Sequence, residues 1–252
     1  NVVIYYKKLH LSKIKQIMKK ILLFLFLSFL GISSSLSAQN VDDIINKYLS
    51  AIGGTDKLTQ LKSIVMEGKI NANGAEIPVT MTRSNLKGFR FDINVMGMTG
   101  WVIMTPDSGW VFMPFQGQTK PEAMPGDAIK EGVDQLDLSG PLCNYKAKGH
   151  SIEYIGLDDV EGTECHKLKV THKSGNITYF LIDPTSNYLV RTITKQKAGG
   201  KEMDVINDFT NYKSIEGGLF FPFTIASQNG PIEFQKITIN SEIPENTFKP
   251  IN

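Results

Sequence analysis

The sequence predicts a mainly β chain: a barrel or half-barrel of about a dozen short antiparallel strands with a few helices laid against it. Three observations carry this. Between residues 63 and 240, strand-like runs are separated by turn signals such as Asn73-Gly74, Ser174-Gly175, Gly199-Gly200 and Asn229-Gly230. The connections are short, which favours an antiparallel meander over crossover units. In the second half the strands alternate apolar and charged residues. Leu168 and Val170 share one face while Lys167, Lys169 and Thr171 share the other, so one face meets water. A twisted sheet of that many strands curls on itself.

Taken in order, the chain begins with a leader. Residues 19–38 read KKILLFLFLSFLGISSSLSA, with two lysines, an apolar run and a small-residue stretch. That pattern predicts a secretory signal peptide over 18–38, cleaved near Ala38, with 1–17 an upstream extension. The apolar run is shorter than the ~20 residues a membrane-spanning helix needs. Six of the 27 basic residues and none of the 25 acidic ones lie in residues 1–38. The remaining 214 residues therefore hold 21 basic and 25 acidic side chains, a net charge of −4 against +2 for the whole chain. Basicity gives no argument for nucleic-acid binding. Residues 39–252 are expected to form one domain.

Val41 to Ile52 is an amphipathic helix, with Val41, Ile44, Ile45, Tyr48, Leu49 and Ile52 on one face. Asp42 and Asp43 suit a first turn, and Gly53-Gly54 a stop. Thr55 suits the cap of a short second helix carrying Leu58 and Leu61. Strands are expected at 63–72, 76–84 and 88–95.

The stretch Thr99–Thr119 then breaks the alternation. Trp101 to Met104 and Trp110 to Phe115 are apolar without interruption around the turn Pro106-Asp107-Ser108-Gly109. Both faces of such a hairpin must be kept from water. Five of the nine methionines lie in or near it, a side chain suited to surfaces that repack around apolar guests. The set Trp101, Ile103, Met104, Trp110, Phe112, Met113 and Phe115 is therefore either core or the lining of a ligand site. After Pro121, Pro125 and Gly126, residues Asp127–Leu138 predict a helix with Ala128, Ile129, Val133 and Leu136 inward, a cover or lid. Strands follow at 151–157, 163–172, 177–183, 187–196, 202–213, 218–227 and 231–240.

Catalytic constellations are absent from this reading. His166 and His172 share strand parity with Glu164 but stand about 20 Å apart along an extended strand, too far for joint metal ligation. His10 falls in the leader and His150 in a loop. Asp158-Asp159 and Glu161 read as a solvated turn, and Asn176-Ile177-Thr178 fits a glycosylation sequon. Cys143 and Cys165 are compatible with a disulfide or with two buried thiols. No metal and no cofactor is expected.

The order of leader, amphipathic helix, strands, mid-chain helix and further strands resembles the bacterial LolA/LolB-like lipoprotein carriers and outer-membrane lipoprotein-sorting relatives. The local match is best at Gly109-Trp110-Val111-Phe112-Met113-Pro114-Phe115 followed by Gln118-Thr119. Val79-Thr80-Met81-Thr82-Arg83 with Phe89-Arg90-Phe91 is similar to the family's strand ending in arginine, although Ser84 stands where a proline is usual. The resemblance implies an incomplete antiparallel β-barrel of about 11–12 strands covered by helical lids, its apolar concave face holding acyl chains. It implies that Arg83, with Arg90 as competitor, latches the lid by hydrogen bonds to its backbone. The expected function is that of a monomeric, non-enzymatic periplasmic carrier of lipoprotein acyl chains or lipids, with a membrane-bound donor and acceptor. The alternative is an envelope sensor or protein-interaction module on the same fold.

Overall fold

The computed structural model describes residues 32–72, 74–198, 201–228 and 230–250. The chain divides into two compact units, Asn1–Asp43 and Ile44–Asn252. Of the first, only the start of helix α1 (Ile32–Ala51) is described. The leader over 18–31 and the turn residues Asn73, Gly199, Gly200 and Asn229 lie outside the described residues. Helix α1 begins well before the expected Val41, which places Asp42 and Asp43 in its second half instead of its first turn. Ile44, Ile45, Leu49 and Ile52 are buried, as the spacing predicts. Gly54 N–H donates to the Leu49 carbonyl at 2.8 Å and ends the helix. Gly53 has φ 115°, and a Cβ there would strike the Gly218 carbonyl, so glycine is required twice over. In the short α2 (Thr55–Thr59) the cap is Gly54 and Thr55 is already helical, which corrects the expected cap.

Thirteen strands form one sheet among the described residues, every neighbouring pair antiparallel. They are β1 (Ser63–Ala72), β2 (Ala75–Ser84), β3 (Gly88–Val95), β4 (Met98–Met104), β5 (Gly109–Phe112), β6 (Glu122–Ala123), β7 (Ser151–Val160), β8 (Thr163–Thr171), β9 (Ile177–Ile182), β10 (Leu189–Ala198), β11 (Lys201–Ser214), β12 (Phe220–Ser227) and β13 (Gly230–Ile239). The spatial order runs from β6 down to β1, then β13 down to β7. The meander thus reverses where the first strand pairs with the last. Its two free edges, β6 and β7, are consecutive in the chain, and the sheet is an open half-barrel. The segment joining those edges carries α3 (Gly126–Gly132), a 3-10 turn (Val133–Leu136) and α4 (Tyr145–Lys148).

Side chains directly opposed across a ladder share a face. Met66 faces Met81 and Ile64 faces Arg83; Arg83 in turn faces Phe89, and Phe89 faces Met104. In the other arm Leu168, Phe180, Thr192 and Asn207 form one row and Val170, Thr178 and Thr194 the next. These residues make the inner face. At the β1–β13 junction a bulge falls between Glu67 and Gly68. A Cβ on Gly68 would come within 2.8 Å of Phe234 Cα and closer still to the Glu233 carbonyl. Gly68→Ala is expected to cost about 2–3 kcal/mol in urea unfolding, because backbone on the partner strand has to yield.

The apolar hairpin differs from expectation in one respect. The second strand stops at Phe112, not Phe115, because Pro114 has no N–H to give a ladder and opens a 3-10 turn over Pro114–Gln116. Met113 N–H instead donates to Gln118 Oε1 at 2.6 Å. Both faces of the hairpin are covered, by different pieces of chain. On the inner face Met104 lies against Gly132 of α3, and Gly100 leaves room for Met113 and Phe115. On the outer face Trp101 packs on Phe112 at 5.7 Å between ring centroids, with the Arg90 guanidinium over the indole. Arg90 is itself held by Asp92 and by the Thr247 carbonyl, while Phe248 lies against Gly88. The C-terminal segment therefore covers the outside of β3.

Asp158 and Asp159, expected in a turn, belong to β7, and Asp158 pairs with Lys167 at 2.7 Å. Cys143 and Cys165 are both free and fully buried, and burial raises both thiol pKa values.

Candidate functional site

Between the inner face and the helical segment 131–141 lies a cavity of about 410 Å³. Its sheet wall includes Met81, Phe89, Phe180, Phe209 and Ile225. Tyr48 of α1 closes one side, and Gln135, Asp137, Leu138 and Pro141 form the roof. A larger groove of about 750 Å³ near the start of β1 is walled chiefly by polar residues, among them Lys62, Ser63, Ser84 and Lys87. Its surface is about half polar, whereas that of the roofed cavity is mostly apolar, so the roofed cavity is the better candidate.

The roof is tied to both arms of the half-barrel. On one side Arg83, projecting inward from β2, donates through Nη2 to the Gln135 carbonyl. The β2–β3 turn adds two bonds: Leu86 N–H to the Leu136 carbonyl at 2.9 Å, and Leu138 N–H to Asn85 Oδ1 at 3.1 Å. On the other side Asp134 Oδ2 accepts from Ser174 Oγ at 2.6 Å and from Asn176 Nδ2 at 2.7 Å. The same amide reaches the Lys130 carbonyl at 3.1 Å. Lys148 pairs with Asp137 at 2.5 Å and also donates to Ser139 and the Gly140 carbonyl, which fixes the roof's exit.

Arg83 is enclosed. Burial pulls its pKa down to about 10, against the opposing pull of Asp137, so it stays charged at neutral pH. Its Nε has no hydrogen-bond partner among the described residues. Such a cation is poorly compensated, and it rests on the one carbonyl it grips.

His172, at the end of β8, is 7 % exposed. Its Nε2 lies 3.2 Å from Thr178 Oγ1 and its Nδ1 is 3.7 Å from Asp134 Oδ2, with the His150 ring 5.3 Å away edge-on. Burial lowers the pKa of His172, opposed by Asp134 and assisted by His150. Burial likewise lowers that of His150. A histidine held neutral in the fold binds fewer protons than in the unfolded chain. Stability therefore falls as pH drops below the ordinary value of 6.5 and recovers above it. Urea midpoints at pH 8 and about 5.5 are expected to show this loss, and His172→Gln to reduce it.

The structure distributes the sequence-derived candidates as follows. Leu136 is buried in the lid, while Ile129 and Val133 are half-buried; the expected continuous helix over 127–138 becomes a 3-10 turn after Gly132. Arg83 meets the lid backbone, whereas Arg90 faces away from it. Of the seven hairpin residues, Met104 shares the cavity's face and touches α3. Trp101, Ile103, Trp110 and Phe112 fall on the opposite face by register. Met113 and Phe115 plug the space at Gly100.

Asp134 and Thr192 are site residues that sequence reasoning missed, and His172 and Asn176 entered it only as a rejected metal ligand and in a sequon. For the threonines a signal exists. In LVRTITKQ, Arg191 and Lys195 share parity with Ile193, so the charges assign that face to the outside and Thr192 and Thr194 to the inside. Asp134 and Asn176 come from separate loops, and no local pattern joins them.

No protein-family model matches the sequence, and no curated protein matches it. Solved structures do. A DUF1329 family protein from Desulfovibrio piger is 13 % identical with a TM-score of 0.50, covering 84 % of this chain and 97 % of its own. A LolA superfamily protein from Nitrosomonas europaea is 11 % identical with a TM-score of 0.49, covering 80 % and 96 %. An outer-membrane lipoprotein-sorting protein domain from Vibrio parahaemolyticus is 11 % identical with a TM-score of 0.48, covering 84 % and 97 %. At such identities the likeness is one of fold, a mainly β open half-barrel.

Proposed function

We propose that this chain is an exported, non-enzymatic carrier that holds the acyl part of a lipid or lipoprotein under its lid and releases it to a membrane acceptor. The roofed cavity on the inner face of an open half-barrel is the observation that carries this reading. At about 30 Å³ per methylene-sized group, 410 Å³ takes roughly 14 of them, one chain of ordinary length. Each buried methylene contributes about 0.8 kcal/mol, so one chain supplies on the order of 10 kcal/mol gross, before the cost of ordering it. That is sufficient for a reversible carrier without covalent chemistry. A cargo with more than one chain requires the lid to move. The leader pattern supports a periplasmic location. Ile225→Trp, which fills the cavity from β12, is expected to weaken binding of a fluorescent fatty-acyl probe at least tenfold, about 1.4 kcal/mol, with the fold retained by circular dichroism. Unchanged affinity would place the acyl site elsewhere.

A further inference from the structure

The cavity wall is chemically divided. Met81, Phe89, Phe209 and Ile225 offer hydrocarbon, but β9–β11 add the polar side chains Thr178, Thr192, Thr194 and Asn207 to the same lining. Thr178 Oγ1 links His172 to Thr194, whose Oγ1 lies 3.3 Å away. One row along, Thr192 and Asn207 oppose each other across β10 and β11. Neither side chain has a hydrogen-bond partner among the described residues. The Nδ1 of His172 is itself enclosed, with no hydrogen-bond partner among the described residues and Asp134 Oδ2 3.7 Å away. A purely hydrocarbon cargo would seal Thr192 and Asn207 from water unpaired, a state that buried polar groups avoid.

The charges around the cavity narrow the choice further. Glu131, Asp134 and Asp137 line the roof side, and the one cation lining the cavity among the described residues, Arg83, donates to the Gln135 carbonyl. An anionic headgroup would meet three carboxylates against one guanidinium. A neutral group meets only donors and acceptors.

Building on the carrier reading, we propose that the cargo is an amphiphile. Its uncharged hydrogen-bonding group, an acyl ester, sits against Thr192 and Asn207, and its chain lies along Phe209, Phe89 and Met81. Carrier and headgroup selectivity are separable in one experiment. The neutral apolar dye N-phenylnaphthylamine is bound to the protein. It is then displaced at about pH 8, where carboxylic acids are ionised, by monopalmitoylglycerol, by a diacylglyceryl-cysteine lipopeptide or by palmitate. The esters are expected to displace the dye at about tenfold lower concentration than palmitate. Thr192→Val and Asn207→Leu should each lower the ratio of ester to palmitate affinity roughly fivefold, as the loss of one hydrogen bond to a buried partner requires. The stronger of the two esters identifies a free lipid or a lipoprotein as the source. Palmitate displacing as well as the esters, or variants that weaken all ligands alike, would overturn the selectivity while leaving the carrier intact. A dye that fails to bind would remove the carrier reading and this one with it.

Discussion

Replacing Arg83 by leucine is expected to accelerate release of a bound acyl probe by about 10- to 100-fold while leaving global stability close to unchanged. A hydrogen bond from a charged donor contributes about 1.5–3 kcal/mol, and here it joins the sheet to the Gln135 carbonyl of the roof. Removing it lowers the barrier to lifting that roof by a similar amount. Global stability responds differently because Arg83 is a half-buried cation whose Nε has no hydrogen-bond partner among the described residues. Exchanging such a group for an apolar side chain of similar reach is often neutral or stabilising. Stopped-flow dilution of the probe measures the first effect and urea unfolding the second. Unaltered release from the folded variant would show that the roof is held by its other contacts.

Asp134→Ala is expected to act on the opposite anchor and to cost about 2–3 kcal/mol of stability. Asp134 Oδ2 accepts from both Ser174 and Asn176, and both lose their charged acceptor together. Hydrogen exchange of the amides between 129 and 138 should quicken in this variant more than in Arg83→Leu, since the helix α3 end is freed. The carboxylate also supports protonation of His172. Without it the imidazole resists charging further, and the loss of stability on acidification steepens.

Much of the fold was legible in the sequence because strand periodicity and turn chemistry are local. The strands at 63–72 and 88–95 have the expected bounds, and the buried stripe of α1 follows its spacing. The pairing of β1 with β13 was not legible. It joins residues as distant as Lys62 and Asn240, whose backbone N–H and Oδ1 meet at 2.7 Å, and no local pattern encodes that. The hairpin shows the same boundary. Its unbroken apolar runs demanded cover on both faces, yet only the folded chain shows the C-terminal segment outside and α3 inside. The lid contact of Arg83 was suggested by the local resemblance. Its counterweight, Asp134 with Asn176, depends on two loops meeting in space. The polar row was legible in half: the charges of Arg191 and Lys195 turn Thr192 inward, but no local pattern sets Asn207 opposite it.

The central claim is that the roofed cavity holds one amphiphile. The most direct measurement is native mass spectrometry of the purified, processed chain, followed by solvent extraction and identification of what is released. One acyl-bearing molecule per chain, lost from Ile225→Trp at equal folding, is the predicted result. A chain that carries no lipid and also fails to take up a fluorescent acyl probe saturably would contradict the account.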